Sequence, residues 1–327
     1  MISVVITAYN AERFIRDAVR SILGQTHADL ECLVIDDGST DGTLRTVREG
    51  VADPRLRVIE AGRIGRGRAL NLGLRESRGR YIAIQDADDL SHPRRLEIEL
   101  MALKQGGAGC GAVGTRGLSL MILAERATTV TAAPGWPALA APSSTATGGI
   151  GDVPLALQDV SGSVVYYNPL AHSSLLLRRE ALDAVGGYDE SRTSQYDYDL
   201  LIRLVAAGYR LVLIPTVLHA HRIHPGQFFE QNERPRYVRA AYELQRAARR
   251  TLGRSWFLEP VFLGLYGYRL LPLRFRMAWR RVLQNRRLTS TTAMQGGEVI
   301  QSKIITAPPP LVERTSAAKS APPSSTR

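Results

Sequence analysis

Hydrophobic and polar positions alternate between two spacings along the first hundred residues. Ile2–Ala8 is a β-branched run of the kind found in buried parallel strands. Between Glu12 and Leu23 the apolar residues recur at helical spacing, so a helix follows this strand. The same succession then repeats. It predicts strands over Leu30–Ile35, Leu56–Glu60 and Tyr81–Gln85, and helices over Thr43–Glu49, Gly67–Ser77 and Arg94–Lys104.

This strand–helix alternation predicts an α/β fold with a doubly wound, mostly parallel sheet flanked by helices. Such sheets bind ligands at the carboxyl ends of their strands. Two acidic segments occupy that position, because Asp36–Asp41 follows the second strand and Asp86–Asp89 follows the fourth. The candidate chemistry is therefore expected at one edge of the sheet.

The pattern is weaker further along the chain. Residues 105–165 are rich in Gly, Ala, Ser, Thr and Pro, and they predict a variable insertion with one strand near Gly111–Thr115. Regular spacing then returns and predicts strands over Leu175–Leu177 and Tyr209–Ile214, and helices over Arg179–Val185, Asp197–Ala207, Pro235–Leu252 and Trp256–Leu288. We expect a main domain over 1–226, a basic helical extension over 227–288 and a disordered tail over 289–327.

The net charge of +11 over 327 residues is distributed unevenly. Residues 1–233 carry 24 basic and 27 acidic side chains, whereas residues 234–287 carry 14 arginines and two glutamates. Basic residues interleaved with Trp, Phe and Leu fit an amphipathic segment on an anionic membrane surface. A helical cover packed on the main domain with a solvated arginine face is an equally good interpretation. No nucleic acid is expected, because the block contains no recognisable reading module.

The N-terminal segment and the hydropathy of the chain indicate where in the cell the protein is expected. Ile2–Ile6 already has the pattern of a core strand, so no signal peptide is predicted. No uncharged apolar stretch reaches the roughly 20 residues that a membrane span requires. We expect a cytoplasmic protein, and the membrane interpretation of the basic block would place it at the inner face of the plasma membrane.

Asp86, Asp88 and Asp89 place three carboxylates within four residues at a strand end. Their mutual repulsion is relieved when a cation binds, and hard oxygen ligands suit Mg²⁺ or Mn²⁺. The alternation also lets one carboxylate face a ribose while the next faces the metal. An Asp-x-Asp pattern alone is equally compatible with a solvated acidic turn that caps the helix beginning near Pro93.

The two acidic segments, taken in order with the end of the first strand, resemble the family 2 glycosyltransferases of the GT-A fold. The resemblance runs from residue 2 to about residue 226, and residues 105–165 match poorly. Its elements are Thr7–Asn10, Ser21–Thr26, Ile35–Asp41, Gly67–Gly73, Gln85–Asp89, Asn168–Ser173, Arg178–Glu180, Gly186–Asp189, Asp197–Leu200 and Arg222–Gly226.

The resemblance implies a nucleotide-diphosphate sugar as donor and a divalent metal, Mn²⁺ or Mg²⁺, as cofactor. Thr7, Tyr9 and Asp37 match residues that hold the nucleotide base, and Asp36 lies beside them. Asp86 and Asp88 match the motif that reaches the ribose and the metal, and Asp89 shares or supports that metal. Arg66 or Arg68 approaches the diphosphate, although a solvated arginine-rich loop explains both residues equally well.

The resemblance also suggests the residues on the acceptor side. Asp197 is the candidate general base, although the family usually has Glu-Asp where this chain has Tyr196-Asp197. An Asp at the start of a helix is also favoured simply by the helix dipole. His224 matches a position that contacts metal or diphosphate, and His172-Ser173 matches a pair that lines the acceptor side.

These residues together predict an inverting glycosyltransferase acting on a hydroxyl of a glycan or lipid-linked acceptor, in cell-envelope or polysaccharide biosynthesis. A non-catalytic, nucleotide-sugar-binding scaffold is the alternative, and Tyr196 is the feature that favours it. A nucleotidyltransferase is disfavoured, because Thr7–Asn10 lacks the glycine-rich phosphate loop of that class.

Overall fold

The computed structural model describes residues 1–121, 156–224, 234–253 and 259–270. In these residues a nine-stranded sheet is surrounded by eight α-helices. The strands are β1 (Ile2–Ala8), β2 (Leu30–Asp36), β3 (Leu56–Glu60), β4 (Tyr81–Asp86), β5 (Leu90–Ser91), β6 (Cys110–Met121), β7 (Gln158–Asp159), β8 (Leu176–Arg178) and β9 (Arg210–Ile223). The helices are α1 (Ile15–Leu23), α2 (Thr43–Gly50), α3 (Arg66–Glu76), α4 (Arg95–Gln105), α5 (Arg179–Ala184), α6 (Tyr196–Ala206), α7 (Arg234–Thr251) and α8 (Glu259–Leu270).

The first four strands form the parallel half of the sheet, in the order β3-β2-β1-β4. This confirms the architecture expected from the alternating pattern. The register pairs Ala8 of β1 with Asp36 of β2, and Thr7 of β1 with Asp86 of β4. The carboxyl ends of the three strands are therefore level, and they bring the two acidic segments to one edge.

The second half of the sheet is mixed. Strand β8 is antiparallel to β4 and β6, β9 is parallel to β6, and β5 and β7 each pair antiparallel with β9. β9 is longer than the predicted strand, which ended at Ile214. It continues beside β6 past two register shifts near Arg116, so that His219 and His221 lie within the strand. Backbone pairing holds this polar stretch extended, although its side chains do not show a strand pattern.

Alternate residues of the central strand face opposite layers of the molecule. Val4 and Ile6 pack with α1 and α4, whereas Val5 packs with α3 and α6 on the other face. Helix α3 lies very close to β1 at Gly73, where a Cβ atom would be 2.4 Å from Cγ1 of Val5. A small residue at this position is what lets α3 present its N-terminal end beside the strand ends.

The helical extension contacts the main domain where it is described. Helix α7 packs against α6 through Leu244 and Ala248, both of which are buried. Gln245 donates a hydrogen bond of 2.8 Å to the backbone carbonyl of Tyr166. The packed cover is thus seen for 234–253 and 259–270, and the rest of the basic block lies outside the described residues. No helix in the described ranges combines the length and apolarity needed to cross a membrane.

Candidate active site

The loop after β2 surrounds the carboxylate of Asp37, which is almost completely buried. Its Oδ1 accepts hydrogen bonds of 2.8 Å from the backbone N–H groups of Ile64 and Gly65. Its Oδ2 accepts a bond of 2.7 Å from the Arg63 guanidinium, which also lies 3.5 Å from the ring centroid of Tyr9. Asp37 and Tyr9, both expected to hold the nucleotide base, therefore share a contact with Arg63.

Asp36 lies at the end of β2, next to this loop, and is also buried. Its Oδ2 accepts a hydrogen bond of 3.0 Å from the Ser39 N–H. Within the described residues its Oδ1 is buried without a hydrogen-bond partner. A buried carboxylate oxygen without a donor is unusual. Thr7, paired opposite Asp86 at the end of β1, is partly buried.

Asp86 is held by two side chains that come from different layers. Arg66, at the first turn of α3, donates a hydrogen bond of 2.5 Å to Oδ1 of Asp86, and Nδ1 of His172 lies 3.4 Å from the same oxygen. Burial acts to raise the pKa of Asp86, but Arg66 and then His172 outweigh it and hold the pKa well below its usual value. Asp86 is thus ionised, and it links α3 to the short 3-10 helix that carries His172.

The three carboxylates of Asp86, Asp88 and Asp89 can place one oxygen each within 4.8 Å of one another. Asp89 is fully buried, and its oxygens accept bonds from the Ser173 hydroxyl at 2.6 Å and the Arg222 N–H at 3.1 Å. Nδ1 of His221 lies 3.0 Å from Asp89 Oδ1. Burial raises the pKa of Asp89, and the adjacent Asp86 and Asp88 add to this effect.

Asp88 and His224 form the more accessible side of the cluster. Nε2 of His224 lies 3.2 Å from Oδ2 of Asp88, and both side chains are partly exposed. The His224 ring packs against Phe14, with 4.3 Å between ring centroids. Arg222, almost buried, donates to the backbone carbonyls of Asp88 and Phe14. The end of β9 therefore holds both the backbone and the side chain of Asp88.

Asp197 enters the site from the first turn of α6. Its Oδ2 accepts a hydrogen bond of 2.6 Å from the Asn168 side-chain amide. The charge of Asp86, and then those of Asp197 and Asp88, raise the pKa of Arg66. The first turns of α3 and α6 also lie close together, because Gly67, next to Arg66, lies against the ring of Tyr196, next to Asp197.

Tyr196, which occupies the position where the family usually has Glu, packs against the N-terminal end of α3. A Cβ atom on Gly67 would lie 3.0 Å from Cε1 of Tyr196. Burial raises the pKa of the Tyr196 phenol. The Tyr196 side chain therefore fills the space beside Gly67 at the start of α3.

Two predicted site residues lie away from the accessible side of the site. Arg68 is largely exposed, and its Nε lies 3.6 Å from Glu190. Ser173 is buried, and its hydroxyl donates a hydrogen bond to Asp89, so it supports the acidic cluster from the buried side. Arg95 of α4, completely buried, donates to the Ser173 carbonyl at 2.5 Å and to Gln85 at 2.9 Å.

Three residues of the site were not singled out from the sequence. No motif in the sequence marks His221, yet it contacts Asp89, and this hydrogen bond is the main cause that raises the pKa of His221 to about 9. Asn168 occurs only within the Asn168–Ser173 motif, and no motif predicts a role for Arg63. No sequence spacing connects these residues to their partners. His219, in contrast, is buried in the sheet, and its desolvation lowers the pKa to about 4.

The sequence is similar to that of known glycosyltransferases. The family model "Glycosyl transferase family 2" matches residues 3–121. A putative glycosyltransferase, EpsE of Bacillus subtilis (strain 168), is 30% identical over 214 residues, which cover 64% of this chain and 68% of that protein. The chain belongs to glycosyl transferase family 2.

A second relative is matched over a shorter stretch. The putative teichuronic acid biosynthesis glycosyltransferase TuaG of B. subtilis (strain 168) is 36% identical over 102 residues, or 31% of this chain and 40% of that protein. The family is enzymatic, and this chain is a glycosyltransferase.

Solved structures support the GT-A fold. The mannosyltransferase PcManGT from Pyrobaculum calidifontis, in complex with GDP-Man and Mn²⁺, has a TM-score of 0.58 at 20% identity and covers 89% of this chain and 84% of its own. Residues 1–349 of TarS from S. aureus, in complex with UDP-GlcNAc, have a TM-score of 0.55 at 17% identity and cover 82% and 72%.

Proposed function

We propose that this glycosyltransferase is inverting and metal-dependent, and that it moves a sugar from a nucleotide-diphosphate donor to a hydroxyl of a glycan or lipid-linked acceptor. The observation that carries the proposal is the arrangement around Arg66. Arg66 donates a hydrogen bond to Asp86 of the carboxylate cluster, and the adjacent Gly67 lies against Tyr196, which directly precedes Asp197. This proximity supports a donor-and-metal site and a base that share one cleft.

The side chains of Asp86, Asp88 and Asp89 fit a divalent metal. Their oxygens lie within 4.8 Å of one another, and carboxylate oxygens are the ligands that Mg²⁺ and Mn²⁺ prefer. Asp88, with His224 beside it, would hold the ion, and Asp89 would support it, since the Asp89 oxygens already accept bonds from Ser173 and Arg222. A bound metal would stabilise the negative charge that develops on the leaving nucleoside diphosphate.

Asp197 is proposed as the general base. An inverting transfer needs a carboxylate that removes the proton from the acceptor hydroxyl as its oxygen attacks the anomeric carbon. Asn168 fixes one oxygen of Asp197, which leaves the other to face the acceptor. The C–O bond to the diphosphate breaks as the new C–O bond forms, so the anomeric configuration is inverted and no covalent enzyme intermediate is needed.

The donor base is proposed to lie at the mouth of the sheet between Tyr9 and Asp37, with Thr7 and Asp36 beside it. Tyr9 offers a partly exposed ring for stacking, and Asp37 offers a buried carboxylate that accepts N–H donors, although Arg63 contacts both in this structure. Arg66 is proposed to move from Asp86 to the diphosphate when donor enters. The complexes of TarS with UDP-GlcNAc and of PcManGT with GDP-Man support a uridine or guanosine diphosphate sugar.

The acceptor is proposed to approach past His172, whose Nε2 lies 3.0 Å from the Tyr188 hydroxyl. The name of TuaG supports a cell-envelope polysaccharide as the acceptor class. The exposed arginines of α7, among them Arg236, Arg239, Arg246 and Arg250, support contact with an anionic membrane surface. Loss of co-sedimentation with anionic vesicles on changing Arg239, Arg246 and Arg250 to Glu would test this location.

The test of the function is a screen of nucleotide sugars with Mn²⁺ for sugar release and transfer. Wild type is compared with Asp88→Ala, Asp197→Asn and the control Asp183→Asn, which changes an exposed acid on α5. We expect Asp197→Asn to bind donor normally but to lose activity by about 10²-fold or more, and Asp88→Ala to lose donor binding. Donor binding with equal inactivity of wild type and Asp197→Asn would instead support the non-catalytic scaffold.

A further inference from the structure

The Arg63 side chain occupies the space between the two residues proposed to hold the donor base. Its guanidinium lies 3.5 Å from the ring centroid of Tyr9 and donates a hydrogen bond of 2.7 Å to Oδ2 of Asp37. The other oxygen of Asp37 already accepts two backbone N–H bonds. A base that stacks on Tyr9 and donates to Asp37 therefore needs the place that Arg63 holds.

The guanidinium group has the chemical features of the base that would replace it. It is planar, it stacks on aromatic faces, and it presents N–H donors in its plane to a carboxylate. Uracil and guanine also offer a flat face and an N–H donor on one edge. The pocket is thus filled by an internal group that satisfies the same ring and the same oxygen.

We propose that Arg63 is a displaceable internal competitor of the donor base, and that its side chain must leave Tyr9 and Asp37 before the nucleotide binds. This inference rests on the base site given under Proposed function. It adds a specificity-determining residue, because only a ligand that makes both contacts compensates for the loss of Arg63.

The loop is built so that the side chain can leave while the backbone stays. Ile64 and Gly65 remain tied to Oδ1 of Asp37, and a Cβ atom on Gly38 would lie 2.8 Å from the Arg63 nitrogen, so the backbone here is closely packed. The Arg63 side chain is 58% exposed, so solvent is open to it once it moves. The contacts to be broken are the cation–π contact with Tyr9, the ion pair with Asp37 Oδ2 and a hydrogen bond of 3.3 Å to the Asp37 backbone carbonyl.

Removing Arg63 is expected to strengthen nucleotide binding. In the Arg63→Ala variant the Tyr9 ring is uncovered, and Oδ2 of the buried Asp37 loses its donor, which the base N–H would then replace. The apparent Kd of a ligand rises as the binding-competent fraction falls, so releasing the pocket should lower Kd by about 3- to 10-fold. A ligand without a base gains nothing.

The experiment is calorimetric titration of the full chain, in Mn²⁺, with UDP, GDP and inorganic pyrophosphate. The variants are Arg63→Ala, Arg63→Gln, which keeps a planar donor without the charge, and Arg48→Ala, a control that removes a comparably exposed, ion-paired arginine on α2. We expect tighter binding of UDP or GDP in Arg63→Ala, a smaller gain in Arg63→Gln, and unchanged pyrophosphate binding. Melting temperatures verify that each variant is folded.

The outcomes separate this inference from the proposed function. If wild type binds UDP or GDP and Arg63→Ala binds it equally or more weakly, the competitor role is wrong while the base site stands. An equal increase in affinity for pyrophosphate in Arg63→Ala also contradicts the competitor role. Such an increase would indicate a general change in the pocket, because pyrophosphate has no base. If neither nucleotide binds to wild type or to either Arg63 variant, the proposed function and this inference fail together.

Discussion

The side-chain amide of Asn168 donates a hydrogen bond of 2.6 Å to Oδ2 of Asp197. The two residues come from different parts of the chain, since Asn168 lies just before the 3-10 helix of His172 and Asp197 opens α6. An amide donor on one carboxylate oxygen fixes the direction of the other. The pair has the form of a general base and the group that orients it.

Asn168→Ala should therefore impair turnover more than binding. We expect kcat to fall on the order of tenfold, with KM for donor nearly unchanged, because a freely rotating carboxylate spends less time in the reactive geometry. Asn168→Asp should be worse, since it places a second carboxylate against Asp197. Steady-state kinetics with the donor found by the screen measures both values. Full activity of Asn168→Ala would show that Asn168 does not orient the base.

Chelation should reversibly abolish high-affinity binding of the donor nucleotide. Asp88→Asn removes a proposed ligand, and we expect it to weaken Mn²⁺ binding by at least the 10- to 100-fold typical of perturbed metal sites. His224→Ala, which removes the neighbour 3.2 Å from Asp88, should give a smaller loss in the same direction. Mn²⁺ titrations followed by electron paramagnetic resonance report the free ion. Asp183→Asn, which changes an exposed acid on α5, should bind Mn²⁺ as wild type does.

Glu99 predicts a pH dependence of folding stability. Burial raises its pKa to about 7, although Arg95 lies 3.3 Å away and opposes this shift. The folded state therefore favours the protonated acid, and the stability it confers below pH 4.5 is lost as pH rises through 7. Glu99→Gln should remove this loss, so its stability relative to wild type should rise by up to about 3 kcal/mol between pH 5 and 8.

Urea unfolding of wild type and Glu99→Gln at several pH values measures the difference. Glu49→Gln, an exposed glutamate on α2, serves as the matched control and should show no such trend. If the free energy of unfolding changes with pH in the same way in wild type and Glu99→Gln, the prediction is wrong. Glu99 would then be ionised in the folded protein at pH 5 as well.

We expect the side chain of Arg249, but not that of Arg250, to stabilise the packing of α8 against α7. Arg249 is 2% exposed, its Nη2 lies 3.1 Å from Glu259, and its guanidinium lies 3.7 Å from the ring centroid of Phe262. Arg249→Ala removes the packing on Phe262 and the ion pair with the partly exposed Glu259, so it should cost about 1 to 2 kcal/mol of unfolding free energy. Arg250→Ala removes an exposed charge and should cost less than about 0.5 kcal/mol. Equal effects in urea unfolding would contradict this distinction.

The sequence predicted the parallel half of the sheet well because each strand there is a buried apolar run. Val4 to Ile6 faces hydrophobic layers on both sides, so its residue types follow directly from its surroundings. The end of β9 was missed for the opposite reason. His219, His221 and Arg222 are polar, and they are held in a strand by backbone pairing with β6 that no local pattern reveals.

The site was predictable where chemistry is concentrated within a few residues, as at Asp86 to Asp89. It was not predictable where two isolated residues meet in space. Nothing in the sequence around Arg63 distinguishes it from Arg66 or Arg68, yet Arg63 alone of these three lies on Tyr9 and Asp37. Such pairings depend on side-chain direction, which spacing along the chain does not specify.

The long strand β9 also has a consequence for how the enzyme matures. Asp89 and His221 are separated by 132 positions, so the carboxylate cluster exists in the growing chain well before the groups that hold it. Closing loops of this length is slow relative to local folding. A chain truncated before Arg210 could build the parallel strands but would leave Asp89 without His221 and the Arg222 N–H. The acidic edge therefore gains the contacts of Asp89 with His221 and Arg222 only when β9 has paired with β6.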